Sequence, residues 1–443
     1  MSAHSVSSSR PSSWDSRTVD YATPEFEEFE DSINFHELCA VASSYRDGML
    51  CEYVKYEIKF SDGIVWIARF PLAYQCYLSE EMSASYAATL KLLKKKTTLP
   101  VPEIYGSFAR SDESNKVNAT YVLTQRPEGR ILPSLDYEDC DDPGHYTDRH
   151  STKEFAQARK IHGQWTDIML QLTCLPFDKI GSLQEGPDGE FFVGPVLHPA
   201  YARFKEKTSI YRGFEPHLKG PYSSTAEYYG AAAELGRAFS LVDPCYEDSE
   251  MDSDFKYEVV GEYELFTEFQ EKIINEKYAN GPFYLMWDFE LGETLIDDNF
   301  NIVGINEFSG LVVDLPSFCQ MPEFQRSNSY CGYVDDYKDF AKIFMNRHSQ
   351  YPESALHTRK VRREMMASAE TVLDFEMGLF SIFAGPNLSK LFEELWKRPY
   401  DRKVEFQRLA DTRPWFKALH EKWKPRSTFS KWVSWVLGLW RSF

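Results

Sequence analysis

Residues 281–310, GPFYLMWDFELGETLIDDNFNIVGINEFSG, end in LIDDNFNIVGINEF (295–308), two short apolar runs either side of Asp298-Asn299-Phe300-Asn301. Asp and Asn favour tight turns because their short side chains bond the neighbouring backbone, so this segment reads as a β-hairpin. Three acidic side chains bracket it: Asp288 and Glu293 before the first strand, Glu307 after the second.

Upstream, EYVKYEIKF (52–60) and IVWIARF (64–70) read as strands joined across Ser61-Asp62-Gly63. Val54, Tyr56, Ile58 and Phe60 alternate with Lys55, Glu57 and Lys59, the period of a half-buried strand. From Ser83 to Lys96 the apolar residues Tyr86, Ala87, Leu90 and Leu93 recur at helical spacing, one turn after Met82. The prolines of TTLPVPEIYG (97–106) then stop the helix. ATYVLTQRPEGRIL (119–132) is a strand that breaks at Pro127 and Gly129, and the acidic run LDYEDCDDPG (135–144) follows it.

Beyond Phe155 helical patterns dominate: FAQARKIHGQWTDIMLQLTCL (155–175), TAEYYGAAAELGRAF (225–239) and FTEFQEKIINEKYAN (266–280), with a hairpin expected around GEFFVGPV (189–196). The acidic patches Glu27 to Asp31 and Glu247 to Asp254 read as solvated loops. The chain therefore divides into a disordered Ser-rich segment 1–20, a sheet-plus-helix lobe 21–125, a larger α-rich lobe 126–424 and a Trp-rich tail 425–443. The fold class is α+β with two lobes.

Across 443 residues, 68 acidic side chains outnumber 49 basic ones, a net charge of -19 that opposes nucleic-acid binding. Eight cysteines stand singly with no CxxC pair, which points to reduced thiols in the cytoplasm rather than zinc or disulfides. The N-terminus lacks the apolar core of a secretory signal, and no stretch approaches the ~20 apolar residues of a membrane span. His162 and His198 assemble with no nucleophile into a hydrolase set. In the tail, Trp432, Trp435, Val436, Leu439 and Trp440 share one helical face near Lys431 and Arg441. Docking on the larger lobe, a partner protein and a membrane surface are the three ways to bury that face.

Residues 281–310, taken with WIARFPL (66–72), LPVPEIYGSF (99–108) and YVLTQRPEGR (121–130), resemble the fungal-type branch of the aminoglycoside phosphotransferase family, from about Phe35 to Phe318. The resemblance implies a protein-kinase-like fold, with a small antiparallel-sheet lobe and a larger helical lobe, and a site for ATP and magnesium acting on a small-molecule acceptor. It places the catalytic base at Asp288, where a carboxylate orients and deprotonates the acceptor hydroxyl as the phosphoryl group arrives. The metal positions fall on Glu293 and Glu307, which supply hard oxygen in place of the family's Asn and Asp.

In the first lobe the family's phosphate-neutralising cation falls on Arg69, and its orienting Glu falls on Tyr86, leaving Glu80 or Glu81 as substitutes. The alternation of WIARF allows Arg69 on either face. Thr124, Gln125 and Arg126 occupy the connection whose backbone takes the adenine edge. A kinase-type site also needs a glycine-bearing loop over the phosphates, and between Ala42 and Lys59 there is only Gly48. Two functions follow from the resemblance: an ATP-dependent small-molecule kinase, or a pseudokinase that binds a nucleotide, a metabolite or a protein without transferring phosphate.

Overall fold

The computed structural model describes residues 24–54, 56–71, 76–132, 153–197, 205–242, 260–265, 267–268, 279–286, 294–306, 308–314, 399 and 401–423. The architecture is α+β. Two helices open it, α1 (Pro24–Asp31) and α2 (Phe35–Ser44), the second capped by the Asn34 side chain, which accepts the Glu37 amide hydrogen. The acidic run Glu27 to Asp31 is thus helix and not loop. Glu25 and Glu27 lie in its positive first turn while Phe26 is buried.

Five antiparallel strands follow in the order β1-β2-β3-β5-β4: β1 (Cys51–Val54), β2 (Glu57–Phe60), β3 (Val65–Arg69), β4 (Ile104–Phe108) and β5 (Tyr121–Gln125). The run 52–60, expected as one strand, is folded back on itself. Cys51 pairs with Phe60 and Val54 with Glu57, so the chain reverses between Val54 and Glu57. Tyr56 sits at φ 72°, a left-handed conformation that a two-residue reversal demands and that alternation along the sequence cannot reveal. The turn expected at 61–63 is present: Gly63 has φ 87°, and the Asp62 carboxylate accepts the Ile64 amide and a bidentate pair of bonds from Arg46.

Helix α3 (Ser79–Lys96) comes between β3 and β4, with Glu80 and Glu81 in its first turn and Lys94 to Lys96 in its last, each matched to the helix dipole. One face of the sheet buries Ile58, Phe60, Trp66, Ala68, Tyr121 and Leu123 together with Leu38 and Ala42 of α2. Val122 belongs instead to the main core, with Met82, Tyr86, Leu90 and Leu93 of α3. The same core continues into residues that follow β5, so α3 packs both on the small sheet and on the chain beyond it.

After β5 the chain enters β6 (Arg130–Ile131), then α4 (Lys153–Leu172), β7 (Pro176–Phe177), β8 (Gly181–Glu185), β9 (Phe191–Gly194), α5 (Lys205–Gly213), α6 (Pro216–Lys219) and α7 (Thr225–Val242). Strands β10 (Phe283–Leu285), β11 (Thr294–Ile296), β12 (Ile302–Ile305) and β13 (Leu311–Val313) and helices α8 (Arg402–Thr412) and α9 (Pro414–Trp423) complete the described elements. The chain beyond β5 contains more sheet than its helical patterns suggested: a β7-β10-β13-β8-β9 sheet and a β12-β11-β6 sheet. Its strands are two to five residues long, too short for a period of two to stand out among helices. Residues 1–20, the patch 247–254, His198 and the tail 425–443 lie outside the described residues.

Candidate functional site

The hairpin β11–β12 is organised by Asp297. Its carboxylate accepts the Asn299 and Asn301 amides and the Asn301 side-chain amide, and the Asn301 bonds hold its pKa below the usual carboxylate range. Strand β11 also pairs with β6, so the connection leaving β5 is fastened to this hairpin. Gly129 makes that approach possible. It has φ 104°, and a Cβ there would lie 2.6 Å from Val303 Cγ2 and 3.0 Å from the Ile296 carbonyl oxygen.

Strand β3 presents Arg69 at its end, paired with Val122. Because Trp66 and Ala68 face the α2 side, Arg69 emerges on the α3 side, with its guanidinium carbon 5.4 Å from the centre of the Tyr86 ring. The Tyr86 ring is 3% exposed and its hydroxyl donates to the Asn306 carbonyl oxygen at 2.7 Å. Glu80 and Glu81 are engaged elsewhere: Glu80 accepts from the Ser111 amide and hydroxyl, and Glu81 accepts from Arg212. The residue beside the cation is therefore an aromatic ring where the resemblance implied a carboxylate.

Asn306 was not singled out from the sequence. It stands immediately after β12 and before Glu307, and its Oδ1 is buried without a hydrogen-bond partner. The only sequence signal for it is its adjacency to Glu307 in INEF (305–308). Asp314, at the end of β13, is a second buried polar residue that the sequence did not flag. It is 1% exposed and accepts the Tyr229 hydroxyl at 2.8 Å.

At the connection, Thr124 is 1% exposed and pairs with Ile67. The Gln125 amide donates to the Glu103 carbonyl at 2.8 Å and the Arg126 amide to the Val65 carbonyl at 3.3 Å. Pro127, next in line, has no amide hydrogen. A base lying here would meet carbonyl oxygens and side chains rather than these two amides. Arg126 also reaches Glu57 at 3.4 Å, and Glu57 in turn reaches Lys59 at 3.3 Å, a charged chain running from the connection across β2.

Asp288, Glu293 and Glu307 lie outside the described residues; among the described ones Arg69, Tyr86 and the Asn306 carbonyl come together, while 124–126 run on from the neighbouring strand β5 and Arg126 turns to Glu57. Among the described residues no cluster of three His, Cys, Asp or Glu side chains could hold a metal ion, and no helix is long and apolar enough to cross a membrane.

The fold is α+β, with Arg69 held over the Tyr86 ring. No family model matches the chain, and no curated protein does. Among solved structures, an aminoglycoside phosphotransferase in complex with GDP and kanamycin is 14% identical, over 82% of this chain and 98% of its own, with a TM-score of 0.36. The macrolide 2'-phosphotransferase MphH of Brachybacterium faecium, as apoenzyme, is 12% identical over 79% and 93% of the respective chains, with a TM-score of 0.29. Overlaps this loose place no residue, so the site rests on the chain's own geometry.

Proposed function

We propose that the protein is a pseudokinase of the aminoglycoside phosphotransferase type, a kinase-like module that binds a nucleotide through Arg69 without transferring its phosphate. The observation that carries this reading is the tight reversal between Val54 and Glu57, with Tyr56 at φ 72°, where a kinase-type fold needs a glycine-bearing loop. Close backbone approach to a triphosphate requires residues without side chains, and a two-residue turn holding a tyrosine offers none. Arg69 supplies charge for a phosphate, but one cation does not provide the enclosing donors that phosphoryl transfer demands. The scattered thiols, of which Cys39, Cys51, Cys76 and Cys174 are not in disulfides, support a cytoplasmic setting.

A second reading, an active kinase for a small hydroxylated or aminated acceptor, is favoured by the placement of Arg69 on the α3 side. In it Asp288 is the base, Glu293 and Glu307 hold magnesium, and Thr124, Gln125 and Arg126 border the base of ATP. The two readings part on one pair of measurements. Magnesium and ATP should raise the melting temperature, by the equivalent of about 2.7 kcal/mol at a hundredfold over Kd. Phosphate release in the presence of candidate acceptors should be no faster for the native chain than for Asp288→Asn. A native rate that Asp288→Asn abolishes would establish the kinase instead, and no thermal shift at millimolar ATP would remove nucleotide binding altogether.

A further inference from the structure

We propose that Tyr86 is a positioning residue that ties the Arg69 guanidinium to the segment following β12, so that the phosphate contact is held preset. The proposal rests on Arg69 being that contact. Tyr86 does two things at once: its ring face carries the guanidinium, and its hydroxyl holds the Asn306 carbonyl at 2.7 Å. A carboxylate in its place would add a negative charge beside the arginine, whereas a ring holds the cation through its quadrupole and adds none. In a chain of net charge -19, that matters for attracting an anion.

A second contact fixes the same segment to α3. Gly310 has φ 73°, and a Cβ there would lie 2.6 Å from Ser85 Oγ and 2.8 Å from Thr89 Oγ1. Helix α3 therefore meets Asn306 through Tyr86 and Gly310 through Ser85 and Thr89. Helix α3 thus links Arg69 of β3, through the Tyr86 ring, to the stretch after β12 that holds the buried Asn306 Oδ1.

The test uses the full chain and has two arms. In the ligand-free protein, hydrogen exchange of residues 306–310 should speed up about fivefold in Tyr86→Phe, which keeps the ring and loses the hydroxyl, while β1 and β2 stay unchanged. In magnesium-ATP binding, Tyr86→Leu should weaken affinity about tenfold, and Tyr86→Leu combined with Arg69→Ala should bind no more weakly than Arg69→Ala alone. Unchanged exchange in Tyr86→Phe overturns the tie to Asn306. Additive losses in the double variant show a merely structural tyrosine and overturn the positioning role. If the native chain binds no ATP, the nucleotide reading fails by itself, and the exchange arm still decides whether Tyr86 couples the two elements.

Discussion

The outer face of the small sheet and the C-terminal helix pair are held in opposite ways. On the sheet, Trp66 stacks on Tyr105 with ring centres 3.6 Å apart, Phe108 on Tyr121 at 4.6 Å and Phe35 on Tyr53 at 4.2 Å. Helices α8 and α9 do bury Phe406, Leu409 and Phe416, but around them Arg237, Arg402, Arg408 and Arg413 meet Glu262, Glu264, Glu268 and Glu405. Glu262, Glu264 and Glu405 are each 1% exposed. Ring packing tolerates small displacements because dispersion is non-directional, whereas a buried carboxylate is costly the moment its arginine is lost. In an acidic chain this directs arginines to the C-terminal contact as a structural necessity.

The largest effect should come from breaking the charged side. Glu264→Ala removes the carboxylate shared by Arg237 and Arg413 and leaves Arg413 with Glu268 alone of the two acids it meets. Burial and the Arg237 charge already hold the Arg413 pKa below the guanidinium range. A loss of about 3–5 kcal/mol is expected in urea unfolding, and a loss below about 1 kcal/mol would mean that the network is solvated. On the sheet, Trp66→Ala should cost about 3 kcal/mol through the cavity it opens, while Trp66→Phe should recover much of that, since only volume is at stake. Recovery by the conservative change is the sharpest contrast with Glu264, where Gln should recover little.

Smaller effects compare the two ends through their helix caps. Asp401 accepts the Lys403 and Val404 amides at the start of α8, and Asn34 accepts the Glu37 amide at the start of α2. Alanine at either should cost about 1 kcal/mol, with Asp401 the larger because it takes two donors. The smallest effect concerns pH at the β11–β12 turn. The Asp297 pKa is lowered in the folded state from an ordinary 3.8, so its contribution is fully present above that value and lost as pH falls through the folded pKa. The stability difference between the native chain and Asp297→Asn should therefore be flat at neutral pH and shrink only in acid. A difference that shrank near neutrality would assign the turn to another group.

Much of this was open to reading along the chain. The β11–β12 hairpin followed from Asp and Asn at its turn, α3 from apolar spacing, and the break after β5 from Pro127 and Gly129. The fold-back between Val54 and Glu57 was not legible, because no turn-forming residue stands there in the sequence and the alternation on both sides suits one long strand equally well. Helix α1 was hidden by its acidic composition, which resembles a loop until Phe26 is buried and Phe29 packs against the sheet. At the candidate site, Arg69 could be named but its side could not. Tyr86 was marked as a departure from the family's carboxylate, with no indication of what it would bond.

By itself the sequence determined what short-range physics controls: turn chemistry, helical and strand periods, a charge balance that disfavours nucleic acid, and the set of acids and cations available to a site. Only the tertiary structure decided which face of β3 carries Arg69, that the hydroxyl of Tyr86 meets a carbonyl 220 residues away, and that arginines from three segments converge on Glu264 and Glu268. Those pairings join residues far apart in the chain, and burial of the shared core, rather than any local preference, selects them.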